Sequence, residues 1–191
     1  MPGERSNSHA PLARGLHLFA PVDILDLLDR CVGLERSAAD LYGILTKRFA
    51  GDAELAALWR DMANAEHGHA RKLATWRDLV AAEPPAHRPQ ASGFAASIEE
   101  VEGLLQTSLA AAATADQEEA FALALALEAS ELDAIYTTLL QSSPLSRYPD
   151  FATTVRYESA GHHRTLLAVV GRRCRSEQNR LRIALLAAHE H

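Results

Sequence analysis

One helical segment carries a carboxylate and an imidazole on its apolar stripe, and that pairing restricts what the chain can fold into. The segment runs from Met62 to Leu73 and reads MANAEHGHARKL. Glu66 and His69 stand three residues apart, so on a helix they leave one face about 60° from each other. Leu55, Trp59, Met62, Leu73, Trp76 and Val80 all fall within about 80° of Glu66 on the same helix. A charged group on a core-facing stripe is unfavourable unless something pairs with it. Inward Glu-x-x-His motifs in four-helix bundles hold carboxylate-bridged metal pairs. The other helices should then present inward carboxylates at the same depth.

The composition supports helices. Of 191 residues, 48% are hydrophobic and only 6% aromatic, and Ala and Leu dominate over β-branched residues. A net charge of −6 argues against a general nucleic-acid binder. Cys31 and Cys174 form no Cys-x-x-Cys pair, which suits a reduced, cytoplasmic setting. There is no apolar run of about 18 residues or more, and Met1 to Ala20 lacks an apolar core of signal-peptide length. The expectation is a soluble protein with no membrane partner and no standard export signal.

Residues 1–20, rich in Pro, Ser, His and Gly, read as a flexible arm. Pro21 opens a helical pattern that runs to about Ala50 and stops at Gly51. Ile24, Leu28, Cys31, Val32, Ala38, Ala39, Tyr42 and Phe49 lie within about 60° of Glu35 on it. Asp52 caps the second helix, which reaches about Ala82, and the short turn makes the two antiparallel neighbours. His67 points off the apolar face. Glu83 to Gly93 is a Pro-rich linker, and Ser97-Ile-Glu-Glu100 reads as a capping box opening a shorter helix that fades near Ala113.

A third long helix is expected from Asp116 to about Gln141, with Phe121, Ala124, Leu125, Leu132, Ile135 and Leu139 around Glu128. Glu131 joins Glu128 one turn on, and two such inward carboxylates repel unless protonated or sharing a cation. Pro149-Asp150 opens the fourth helix, with Phe151, Thr154, Val155, Gly161, Thr165 and Val169 around Glu158. His162 lies about 40° from Glu158 and His163 about 140°, which places only His162 on that face. After Gly171 the chain either continues this helix or starts another. The terminal His189 and His191 read as a frayed tail.

The expected architecture is an all-α, antiparallel four-helix bundle over residues 21–171, followed by a C-terminal helical extension over 172–191. More than thirty residues separate the second and third long helices, enough for a crossover from one end of a bundle to the other. The candidate metal ligands are Glu35, Glu66, His69, Glu128, Glu131, Glu158 and His162. Five carboxylates in an apolar core could not all ionise unaided, and two divalent cations nearly balance them. Oxygen donors with two imidazoles suit Fe or Mn better than Cu, open positions for an oxygen species favour two Fe ions, and Zn remains open.

The stretches LERSAADLY, AEHGHARKL, LEASELDAIY and YESAGHH resemble the four ligand-bearing helices of rubrerythrins, within the ferritin-like superfamily. The likeness covers most of residues 22–170. Glu131, three after Glu128, is the feature that resembles rubrerythrin more than ferritin or bacterioferritin. The resemblance implies that Glu66 and Glu158 bridge the metals and that Glu35 and Glu128 are terminal ligands. It implies that His162 ligates one iron, while the other exchanges Glu131 for His69 on reduction. Tyr42, on the Glu35 face, either donates a hydrogen bond in catalysis or packs. Two departures stand out: Gly161 occupies the place where the family usually has the histidine of its fourth helix, and no rubredoxin-type Cys-x-x-Cys pairs occur. The activity implied is reduction of hydrogen peroxide by a homodimer, with electrons from a separate donor protein. The rivals are ferroxidase or oxygenase chemistry with dioxygen, and a structural or sensor metal site.

Overall fold

The computed structural model describes residues 23–88, 95–130 and 149–189, with side chains described from 97 in the second stretch and over 161–188 in the third. Those residues form six α-helices and no strand: α1 (Ile24–Arg48), α2 (Ala53–Ala82), α3 (Ala95–Ala112), α4 (Gln117–Glu128), α5 (Pro149–Arg173) and α6 (Glu177–His189). A short 3-10 turn, Pro85–His87, follows α2. None of these helices is long and apolar enough to cross a membrane.

Local chemistry sets the helix starts. Asp23 accepts from the Leu25 N–H at 2.9 Å and Asp52 from the Leu55 N–H at 3.1 Å, each satisfying an amide the helix leaves bare. Asp116 and Glu119 form a reciprocal capping box at the head of α4. The α1 stripe is buried from Ile24 through Leu45 and packs antiparallel against α2. Tyr42 stacks on Trp59 at 6.0 Å between ring centroids, and Trp59 meets Phe121 of α4 at 6.1 Å. At the other end Arg77 grips Asp29.

The remaining helices pack around this pair. α3 lies on α1, tied by Arg30 to Glu102, α5 lies on α2, and α6 covers α4 and α5. Arg173, at the end of α5, reaches both Asp52 oxygens, Glu54 and Gln117, which joins the starts of α2 and α4 to the end of α5. Glu118 accepts from the backbone N–H of Arg175 and Ser176 and from Asn179, holding the start of α6 in place.

Several expected boundaries move. The first helix starts at Ile24 with Asp23 as its cap rather than at Pro21. α3 begins at Ala95, so Ser97 sits in its first turn and does not cap it. α4 ends at Glu128 instead of running unbroken to Gln141: the Ser130 N–H bonds to the Leu127 carbonyl, a tightened turn that interrupts the ladder. Residues 131–141 lie outside the described residues. α5 passes through Gly171 to Arg173, and α6 is a separate helix. Thr165, expected on the buried stripe, is exposed, whereas Leu166, Val169 and Val170 are buried. The described buried positions of α5 therefore centre roughly 80° round the helix from Glu158.

Candidate metal centre

Four helices bring charged side chains to one interior point. Glu35 comes from the middle of α1, Glu66 and His69 from α2, Glu128 from the last turn of α4, and His162 and His163 from α5. Glu35, Glu66 and His69 are only 4–5% exposed. They sit there because each occupies the centre of an apolar stripe whose leucines and tryptophans drive the burial.

The contacts fall into two groups. In the first, His69 Nδ1 lies 2.9 Å from Glu66 Oε2 and 3.6 Å from Glu35 Oε2. In the second, Glu128 Oε2 lies 3.0 Å from His162 Nε2 and 2.6 Å from His163 Nε2. In each group the three ligating atoms lie within 4.8 Å of one another. Glu66 joins the groups, since its other oxygen, Oε1, is 3.8 Å from His162 Nε2. The His69 and His162 rings are 5.0 Å apart. A cavity of about 20 Å³ lies among Glu35, Ala38, Glu66, His69, Leu127, Glu128 and His162, room for about one water-sized body. A larger cavity of about 390 Å³ between α3 and α4 is lined by Ser97, Glu100 and small or apolar side chains and gathers no set of ligating groups.

The electrostatics divide the carboxylates. Burial pushes the Glu66 carboxyl up to about 8, with Glu128 and Glu35 adding repulsion against the nearby His69 hydrogen bond. Burial alone would raise Glu128 too, but His162 and His163 overcome it and hold that carboxyl well below the usual carboxylate range. The Tyr42 hydroxyl donates to Glu128 Oε1 at 2.5 Å. Burial first, and the surrounding carboxylates second, raise the Tyr42 pKa well above its ordinary value, so the phenol stays protonated and remains a donor.

A donor set of three carboxylates and three imidazoles around a small buried space is chemistry that divalent cations accept. Neutral partners would leave Glu35 and Glu66 as adjacent buried charges. Of the seven ligands expected from sequence, Glu35, Glu66, His69, Glu128 and His162 meet at this point. Glu158 lies on α5 but its side chain is outside the described set, and Glu131 is outside the described residues altogether. His67 is exposed, as its helical angle implies.

His163 corrects the sequence reading, which set it off the ligand face. That angle was measured from Glu158, whereas the described buried positions of α5 lie further round the helix, toward Leu166. With the buried face of α5 rotated toward Leu166, His162 and His163 both bring Nε2 to the same Glu128 oxygen, Oε2. The signal available beforehand was the apolar run Leu166, Val169, Val170, which marks the buried face independently of any assumed ligand. Compared with protein-family models, curated proteins and solved structures, the chain matches none.

Proposed function

We propose that this chain is a ferritin-like four-helix protein of rubrerythrin type, whose buried carboxylates and imidazoles hold two iron ions and reduce hydrogen peroxide. The observation that carries the reading is Glu66: its two oxygens face two separate ligand groups, at 2.9 Å and 3.8 Å, as a bridging carboxylate must. Glu35, Glu66, His69, Glu128 and His162 would hold the ferrous pair, which would supply the two electrons that, with two protons, convert peroxide to two waters. Those electrons come from a donor outside these 191 residues, because the chain contains no Cys-x-x-Cys pair.

The protein's own groups do the rest. Glu66 carries a proton in the metal-free site near neutral pH and releases it when a cation takes its place. Tyr42 holds Glu128 by Oε1 and so turns Oε2 toward the imidazoles. Ala38 and Leu127 line the space and limit the water that can enter.

The test is anaerobic reduction of the iron-loaded protein, followed by stoichiometric peroxide or dioxygen in a stopped-flow spectrometer. Fast oxidation by peroxide with sluggish reaction with dioxygen supports the proposal. The reverse order favours ferroxidase or oxygenase chemistry, and inertness to both leaves a structural or sensor site.

A further inference from the structure

We infer that Glu128, His162 and His163 form a metal subsite of their own, which loads ahead of the Glu35–Glu66–His69 group and which the nitrogen-preferring ions Zn²⁺ and Co²⁺ can probe in place of iron. The inference rests on the reading of this centre as metal-binding, and it adds a ligand, His163, and an order of loading. Three observations lead to it.

First, the donor sets differ. One group offers two imidazoles and one carboxylate, the other one imidazole and two carboxylates. Imidazole-rich sites favour the later first-row ions, and carboxylate-rich sites suit Mn²⁺ and other hard cations. The two positions are therefore chemically unequal, although Glu66 lies between them.

Second, Glu128 is already aimed. Its Oε1 accepts the Tyr42 hydroxyl, and both imidazole Nε2 atoms converge on Oε2 alone, at 3.0 Å and 2.6 Å. One oxygen and two ring nitrogens then present a three-point face, and a carboxylate fixed by a hydrogen bond is a better-ordered ligand. The Glu128 and His162 side chains are 6% and 7% exposed, so the site is enclosed on the core side.

Third, the two imidazoles differ in their surroundings. His163 is the more exposed of the two imidazoles at 17%. A second small cavity lies against it, among Glu128, His163, Leu166, Leu167 and Leu186. That cavity touches Glu128 and His163 but not Glu66, which lines the inner cavity instead.

The experiment titrates the EDTA-stripped full-length chain with Zn²⁺ and then Mn²⁺, counting bound ions by mass spectrometry, with Co²⁺ absorption as the optical readout. Wild type should bind a first Zn²⁺ tightly and a second ion more weakly. His163→Ala should weaken the first Zn²⁺ by about 100-fold or more, since even an outer hydrogen-bond partner of a ligand is worth about 10–100-fold. The same variant should keep Mn²⁺ uptake at the other group, and Glu35→Ala should show the opposite pattern. Unchanged Zn²⁺ affinity in His163→Ala, or loss of both ions together in each variant, overturns the inference while leaving the metal centre standing. A wild-type chain that binds no ion overturns the metal reading as well. Nitrogen-15 spectra of the wild-type imidazoles cover the case of a variant that does not fold. There the first Zn²⁺ equivalent should shift His162 and His163 ahead of His69, and an unmoved His163 refutes the assignment.

Discussion

Raising the pH should destabilise the metal-free protein, and Glu66 should be the reason. Its carboxyl sits at 4.5 in an unfolded chain and is pushed up to about 8 in the folded one, chiefly by burial. Between those values the folded state holds a proton that the unfolded state has released. The unfolded state therefore binds fewer protons, and stability falls as pH rises, by about 1.4 kcal/mol per unit for one group. From about pH 5.5 to about pH 7.5 that amounts to a loss of about 2–3 kcal/mol, a large share of an ordinary domain's stability. Glu128 acts in the opposite sense: its depressed pKa gives stability that is complete above the unfolded value and lost only as pH falls below it, outside this window.

The assay is urea denaturation in EDTA, followed by the fluorescence of the buried Trp59 and Trp76, at both pH values. Glu66→Gln keeps the side-chain shape without the titration, so the variant should lose most of the difference between the two pH values. If Glu66→Gln and wild type change by the same amount, to within about 0.5 kcal/mol, buried Glu66 is not the proton carrier and the reasoning fails. Saturating metal should reverse the trend in wild type, because the ion binds the deprotonated carboxylate.

On the proposed reading, Glu66→Ala should remove at least one metal ion, while Glu131→Ala should spare metal content and alter the reduction behaviour; metal analysis beside a redox titration separates the two. Tyr42→Phe removes the hydroxyl that holds Glu128 and should weaken metal binding by about 10–100-fold with the fold intact, measured by calorimetry and circular dichroism. Trp59→Ala opens a void between Tyr42 and Phe121 and should cost about 3–5 kcal/mol in urea unfolding. Trp59→Phe, which retains an aromatic ring and discards a buried indole N–H with no partner among the described residues, should cost distinctly less.

Much of the frame was legible because helices declare themselves locally. Asp52 and Asp116 carry capping chemistry that depends on residues within three positions, and both helices start where that chemistry says. The burial of Glu35 and of the Glu66–His69 pair followed from angular position on strongly apolar stripes, and all three are buried. Where the local signal was degenerate, the reading slipped. Ser97 and Glu100 have capping-box spacing, but α3 already begins at Ala95. The end of α4 depended on a backbone bond at Ser130 that side-chain periodicity does not report.

The sequence by itself determined that the chain is helical and that Glu35, Glu66, His69 and Glu128 lie on core-facing stripes, because periodicity is a property of each helix alone. Only the tertiary structure decided which histidines meet which carboxylate. That choice depends on how α5 is rotated against its neighbours, and Leu166, Val169 and Val170 set the rotation by burying themselves. The apolar run marks which face of α5 is buried, but not what that face meets; the packing is what brings His163 as well as His162 to Glu128.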